Sequence, residues 1–178
     1  MIISREVRGL SRRTAIGHMF DWGLIFLRDL ALAVWLGGLI VIDLIEAPIR
    51  FRVPEINRNQ SVAIGRRVFA ALNRLEAVAG AIMLTASALL MRSAATVGTG
   101  ERLAFGLVGA MWLIALAQLV WLRPRMSRLA KGLDLVNRRP DDARYARVGR
   151  LHRLYVAFDF VKMAAGIAVV ALWARAGA

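Results

Sequence analysis

The polar residues of this sequence that could do chemistry lie near one end of each of four long apolar stretches. Ten of them stand out, namely Asp43, Glu46, Asn73, Arg74, Glu76, Gln118, His152, Tyr155, Asp159 and Lys162. Ionisable groups are costly in hydrocarbon, so they normally face the interior of a helix bundle and pair there. The sequence therefore predicts that these residues form one polar intramembrane cluster.

Helical spacing places several of these residues on common faces. Steps of three, four and three residues put one set on a single stripe of the last helix: His152, Tyr155, Asp159 and Lys162. Asp43 shares a face with Glu46, and Asn73 shares one with Glu76. If neighbouring helices run antiparallel, all of these groups lie in the same leaflet, so residues from separate helices can meet.

Two interpretations of this cluster are open. In the first, the charges neutralise each other and fix the register of the helices. In the second, clustered carboxylates with a lysine and a histidine form a proton relay or a polar substrate site. Under either interpretation we expect Lys162 to pair with Glu76 or Asp159, and Arg74 to pair with a carboxylate of the first helix.

The four apolar stretches are long enough to cross a lipid bilayer. A hydrocarbon core of about 30 Å needs roughly 20 apolar residues in a helix. The chain has 178 residues, of which 58% are hydrophobic, and its mean hydropathy is +0.55. We predict an all-α fold, an integral membrane four-helix antiparallel bundle, with helices at about 24–47, 68–91, 103–122 and 154–174.

The segments outside these helices indicate the topology. Residues 1–23 form a basic N-terminal tail, and 24–178 form the transmembrane domain. Pro48 and Pro124 are expected to end the first and third helices. The two basic loops, 48–67 and 123–153, hold fifteen lysines and arginines, whereas the tail, the second loop and the C-terminus hold seven.

This asymmetry predicts an inner-membrane protein with both basic loops in the cytoplasm and both termini outside. The basic tail argues against that orientation, and the objection would disappear if translation began at Met19. The formal net charge is +13. Because the arginines sit between apolar runs, the expected partners are anionic lipid headgroups rather than nucleic acid, together with partner membrane subunits or a second copy of the chain.

The sequence predicts no cofactor and no catalytic residue. It contains no cysteine, which excludes disulfides, thiolate metal sites and cysteine nucleophiles. Its two histidines are His18, in the tail, and His152, the only histidine near the membrane that could ligate haem or copper. No phosphate-binding loop, serine-hydrolase order or metalloprotease motif is present.

A short pattern in the first helix resembles a known family. Trp35-Leu36-Gly37-Gly38, followed by Ala47-Pro48 and Phe51, is similar to the bacterial membrane family termed domain of unknown function 4149. That family is related to the eukaryotic transmembrane protein 205 group and more distantly to the CopD-like copper-resistance superfamily. Residues 24–174 carry the resemblance. It implies a four-helix membrane bundle and brings no reaction, although some remote relatives handle copper or haem.

Three functional hypotheses follow. The first is a non-enzymatic multi-pass inner-membrane protein, acting as a small accessory subunit or factor of a larger membrane assembly. The second is a small proton-coupled transporter that uses the carboxylates and Lys162. The third is a haem- or copper-handling membrane protein that uses His152.

Overall fold

The computed structural model of this chain describes residues 3–137 and 142–176, with side chains over 19–137 and 142–175. Within these ranges every regular element is a helix, and strands are absent. The elements are α1 (Ile3–Leu39), π1 (Ile40–Glu46), α2 (Ala47–Arg50), α3 (Arg58–Ser93), α4 (Thr99–Ala117), π2 (Gln118–Leu122), α5 (Arg123–Ala130) and α6 (Ala143–Ala176). The predicted all-α class is confirmed.

Four helical segments of the described chain are long and apolar enough to cross a membrane. They are Met19–Arg50, Arg58–Ser93, Thr99–Ala130 and Ala143–Arg175. Only 28–33% of the most apolar window of each is buried inside the protein. Most of their apolar side chains therefore face outward, as lipid requires and water would penalise.

The four spans pack as an antiparallel ring. α1 packs on α3, α3 on α4, and α4 on α6, while α6 closes the ring against α1. The interior between them is filled mainly by large apolar side chains that are almost fully buried: Trp35, Leu39, Leu72, Met83, Val108, Met111 and Val169. This arrangement is the predicted four-helix bundle, with short connections between neighbouring antiparallel helices.

The prediction that Pro48 and Pro124 end their helices is wrong. Both helices continue through the proline, to Arg50 and to Ala130. Each proline follows a π-helical segment in which hydrogen bonds reach five residues back: the Ala47 N–H donates to the Ile42 carbonyl, and the same pattern closes π2. The wider turn takes up the missing N–H and the steric bulk of the ring, which would break an ordinary α-helix.

The basic loops are therefore shorter than expected. The first connection covers residues 51–57, because a capping box begins α3 at Arg58: Asn57 Oδ1 accepts from the Gln60 N–H at 3.0 Å, and Gln60 Oε1 accepts from the Asn57 N–H at 2.8 Å. The third connection runs from Lys131 to the start of α6 at Ala143. The prediction of loops over 48–67 and 123–153 is corrected accordingly.

The backbone of α1 begins inside the predicted tail, at Ile3. No proline interrupts residues 3–23, so the helix continues without a break. The side chains of residues 1–18, including His18, lie outside the described part. The division into a tail and a transmembrane domain stays a prediction, as does a start at Met19.

The third connection is tied to the start of α3 through Asp134. Asn59, in the first turn of α3, donates from Nδ2 to Asp134 Oδ1 at 2.8 Å, and its own Oδ1 accepts from the Leu135 N–H at 2.7 Å. Asn137 donates to both carboxylate oxygens of Asp134. These hydrogen bonds, of which that from Asn59 has the largest effect, hold the pKa of Asp134 well below its ordinary value.

We expect Asp134→Ala to release the third connection from α3. A carboxyl with a lowered folded-state pKa stabilises the fold above its unfolded pKa of about 3.9 and loses that contribution as pH falls through the lower folded value. The tie should therefore hold across neutral and mildly acidic pH. Hydrogen exchange at the amides of residues 135–137 should speed up in the variant at pH 7, whereas exchange unchanged from the wild type would contradict the tie.

Candidate functional site

The centre of the polar cluster is an ion triad between α3 and α6. The Lys162 ammonium donates to Glu76 Oε1, across the bundle, and lies 2.8 Å from Asp159 Oδ1, one turn earlier on its own helix. All three residues have no solvent exposure. A spacing of three residues on α6 aims Asp159 and Lys162 at the same point, as the stripe in the sequence predicted.

Glu76 is held by donors on both of its oxygens. Besides Lys162, the Trp35 indole N–H donates to Oε1 at 2.8 Å and Asn73 Nδ2 donates to Oε2 at 2.7 Å. The Tyr155 hydroxyl in turn donates to Asn73 Oδ1 at 2.7 Å. Three helices thus fix one carboxylate, which makes Glu76 the most completely hydrogen-bonded acid of the cluster.

Gln118 connects the network to the third span. Its Nε2 donates to Asp159 Oδ1 at 2.9 Å and to the Tyr155 carbonyl at 3.1 Å. It is fully buried and is the first residue of π2. The second, third and fourth spans thus supply a closed ring of hydrogen bonds, and the first span adds Trp35, whose indole N–H donates to Glu76 of that ring.

The ring contains more carboxylates than cations. Glu76 and Asp159 face a single ammonium, and a third carboxyl, that of half-buried Asp43 in π1, interacts electrostatically with all three of these groups. Asp43 Oδ2, Asp159 Oδ2 and Gln118 Oε1 are buried and have no hydrogen-bond partner among the described residues. An unpaired charge is costly away from water, so protonation of one carboxyl would be favourable here, and an unpartnered carboxyl oxygen can accept the proton.

Of the ten predicted residues, six form the ring and Asp43 lies beside it. The six are Asn73, Glu76, Gln118, Tyr155, Asp159 and Lys162. The expected pairing of Lys162 with Glu76 or Asp159 is observed with both. His152 is exposed on the surface of α6 and stands apart from the ring.

The expected pairing of Arg74 with a first-helix carboxylate is wrong. Glu46 binds Arg50 instead, one helical turn away, with Arg50 Nη1 at 2.7 and 2.8 Å from the two carboxylate oxygens. Arg74 points outward from α3 and is exposed. A neighbour four residues along the same helix meets Glu46 at a lower conformational cost than a partner on another helix.

Two residues of the site were not predicted in these roles. Trp35 was expected to pack, and it does, with no exposure, but its indole N–H also binds Glu76. Arg50, which was assigned to a loop, is buried to 7% exposure, and its guanidinium lies against Gly65, where a Cβ would approach Nη2 to 2.6 Å. The signals that could have found them are the four-residue spacing of Glu46 and Arg50 and a tryptophan in mid-span.

A second charged group occupies the opposite end of the bundle. Arg28, which is 6% exposed, contacts Asp29 at 3.1 Å and Glu101 at 3.5 Å, and its guanidinium lies 3.7 Å from the centre of the Trp173 ring. Asp29 is a sequence neighbour of Arg28, whereas Glu101 lies on α4. The stacking on Trp173 adds a cation–π contact.

The described residues contain no group of three or more histidines, cysteines and acids that could hold a metal ion. His152 is the one histidine whose side chain is described, and it is exposed on α6. The haem and copper hypothesis stays a prediction.

Comparison with known proteins identifies the family. The family model described as domain of unknown function (DUF4149) matches residues 30–133, more than half of the chain. The chain belongs to this family. No curated protein and no solved structure matches it. The DUF4149 match covers residues 30–133, in place of the expected 24–174: it begins inside the first span, includes the second and third, and so contains Trp35, Glu76 and Gln118. Asp159 and Lys162 lie on α6, beyond the matched residues.

Proposed function

We propose that this chain is a multi-pass membrane protein whose buried ring binds and releases a proton, as a small proton-coupled carrier does. The observation that carries the proposal is the sealed triad of Glu76, Lys162 and Asp159, in which two carboxylates share one ammonium at zero exposure. With both carboxyls ionised, the triad carries a net negative charge away from water, which is costly. Protonation of one carboxyl would remove that charge, which supports a site that gains and loses a proton.

The hydrogen bonds favour Asp159 as the residue that takes the proton. Glu76 has donors on both oxygens, so its ionised form is the better satisfied one. Asp159 receives its donors on Oδ1 alone, and Oδ2 is buried without a partner. A proton added at Oδ2 disturbs none of the existing hydrogen bonds.

Asp43 is the natural entry point. It lies in π1, is half buried, and interacts electrostatically with Asp159 and Lys162. We place this end of the bundle, which carries the basic loops, at the cytoplasmic side of an inner membrane, following the excess of lysine and arginine. Protons would enter past Asp43 and reach Asp159. Four helices are few for a carrier, so a dimer would supply the rest of the pathway.

Infrared difference spectroscopy of the reconstituted full chain tests the proposal. A pH step should change the C=O stretching band of a protonated carboxyl, and Asp159→Asn should abolish most of that change. Proton flux driven by a pH gradient in proteoliposomes should fall with it. Glu55→Gln, an exposed acid in the first connection, is the matched control and should leave both signals intact.

Two outcomes would refute the proposal. One is a carboxyl band that does not change with pH in the wild type, just as in Asp43→Asn and Asp159→Asn. The other is a proton flux of the wild type that equals that of empty liposomes, together with a carboxyl C=O band that does not change on a pH step.

A second candidate is an accessory subunit of a membrane assembly, and Arg74 favours it. Its guanidinium is exposed on α3, between the buried residues Asn73 and Glu76, and no carboxylate of the described chain lies within ion-pair distance. A charge facing outward at this depth is costly unless a partner supplies an acid. Purification in mild detergent should recover a complex, and Arg74→Gln should dissociate it. A monomer without any partner would argue against this role.

A further inference from the structure

The surface between α5 and the start of α6 contains a groove with an unusual lining. Its volume is about 280 Å³, and it is lined by Arg125, Leu129, Arg147, Arg150 and Leu151. Three arginines and two leucines thus line the same groove. It lies at the end of the bundle that carries the basic loops, where the third and fourth spans leave the apolar zone.

The three arginines of the groove are exposed and have no carboxylate partner among the described residues. Arg125, Arg147 and Arg150 form no ion pair with any acid of the described chain, whereas their neighbour Arg144 is paired with Asp142 at 2.6 Å. Like charges that line one groove without an acid repel one another. Such a group is stabilised when an anion binds between them.

The surroundings identify the kind of anion. Arg125 stacks on Trp121, with Cζ 4.9 Å from the ring centre, and Trp121 is half exposed, as tryptophans at the lipid headgroup level are. Guanidinium groups bind phosphate oxygens in pairs, and Leu129 and Leu151 offer an apolar surface beside them. A soluble anion would use the arginines and leave the leucines unused. A lipid uses both.

We propose that this groove binds the phosphodiester headgroup of an anionic glycerophospholipid, with its acyl chains running along the leucines. The three arginines contact the phosphate, and Trp121 holds Arg125 in place. This site is separate from the buried ring and does not depend on the proposed proton binding.

Native mass spectrometry of the full chain in detergent tests the proposal, with phosphatidylglycerol as the probe. The triple variant R125Q/R147Q/R150Q should weaken phosphatidylglycerol binding by roughly 100-fold, at about fivefold for each arginine near a headgroup. R125Q alone should weaken phosphatidylglycerol binding by about fivefold. This single variant replaces the triple variant in the test if the triple variant folds poorly. Phosphatidylcholine should bind the wild type weakly.

The matched control is R67Q/R128Q/R153Q. It removes the same charge from three exposed arginines at the same end of the bundle that do not line the groove. It should retain wild-type binding to within about threefold. Equal losses in the two triple variants would show a diffuse surface attraction and overturn the proposal. Displacement of the lipid by an equal concentration of inorganic phosphate would assign the groove to a soluble anion and overturn it as well.

Discussion

Replacing Lys162 with methionine should lower the free energy of unfolding by about 3–5 kcal/mol, the usual cost of removing one partner from a buried ion pair. Methionine fills a similar volume, so the loss comes from charge and not from a cavity. Glu76 and Asp159 would then face each other with no cation between them, at zero exposure. Equilibrium unfolding in mixed detergent micelles, monitored by circular dichroism, measures the effect.

The chain offers a matched control, because Lys131 is its other lysine and is exposed at the end of α5. Lys131→Met should change stability by less than about 0.5 kcal/mol. Adding Glu76→Gln to Lys162→Met should restore part of the loss, since it removes one of the two uncompensated charges. If Lys162→Met were as mild as Lys131→Met, the ring would not be the charged contact described above.

Substituting Gly80 with alanine should also destabilise the bundle, by about 1–3 kcal/mol. A Cβ at this position would press into the Trp112 indole and come within 3.0 Å of Trp35 Cζ3. The Trp112 ring has little freedom to retreat, because its N–H donates to the Ala77 carbonyl at 2.8 Å. The added methyl group must therefore break that hydrogen bond or separate α3 from α4.

Two other glycines calibrate this expectation. The three atoms nearest to a Cβ at Gly166 all belong to the flexible Leu36 side chain, so Gly166→Ala should cost less than Gly80→Ala. A Cβ at Gly109 would have nothing within 4 Å, and Gly109→Ala should be neutral or stabilising, because alanine favours helix by up to about 1 kcal/mol over glycine. Thermal unfolding of the three variants in one detergent gives the ranking. The same midpoint for Gly80→Ala and Gly109→Ala would contradict the close packing at Trp112.

The fold could be predicted because lipid imposes a simple rule on sequence. Spans of about 20 apolar residues have no stable alternative to helices, and short connections force neighbours to be antiparallel. The hydrogen-bonded ring could be predicted because lipid also makes buried charge costly. The three-residue spacing of Asp159 and Lys162, and of Asn73 and Glu76, defines faces, and the expense of buried charge directs those faces inward.

The remaining details depend on rotations of whole helices that periodicity does not determine. Arg74 and Glu76 are two residues apart, so they point to different sides of α3, and only the packed bundle decides which of them is inside. Trp35 could not be distinguished from an ordinary core residue, because its polar atom is one N–H on a large apolar ring. The passage of a helix through Pro48 was unexpected, since a proline in mid-helix usually ends it.

The two π segments lie in the first and third spans, which are diagonally opposite in the bundle. The ion triad joins the other diagonal pair, α3 and α6. π1 and π2 interrupt the first and third spans at the level of the triad, and each is followed by a proline. α3 and α6, which hold Glu76 and Lys162, are described as unbroken helices. Bending of a helix concentrates where its ladder of hydrogen bonds is interrupted. The first and third spans can therefore bend at π1 and π2, while the unbroken α3 and α6 keep Glu76 and Lys162 in register.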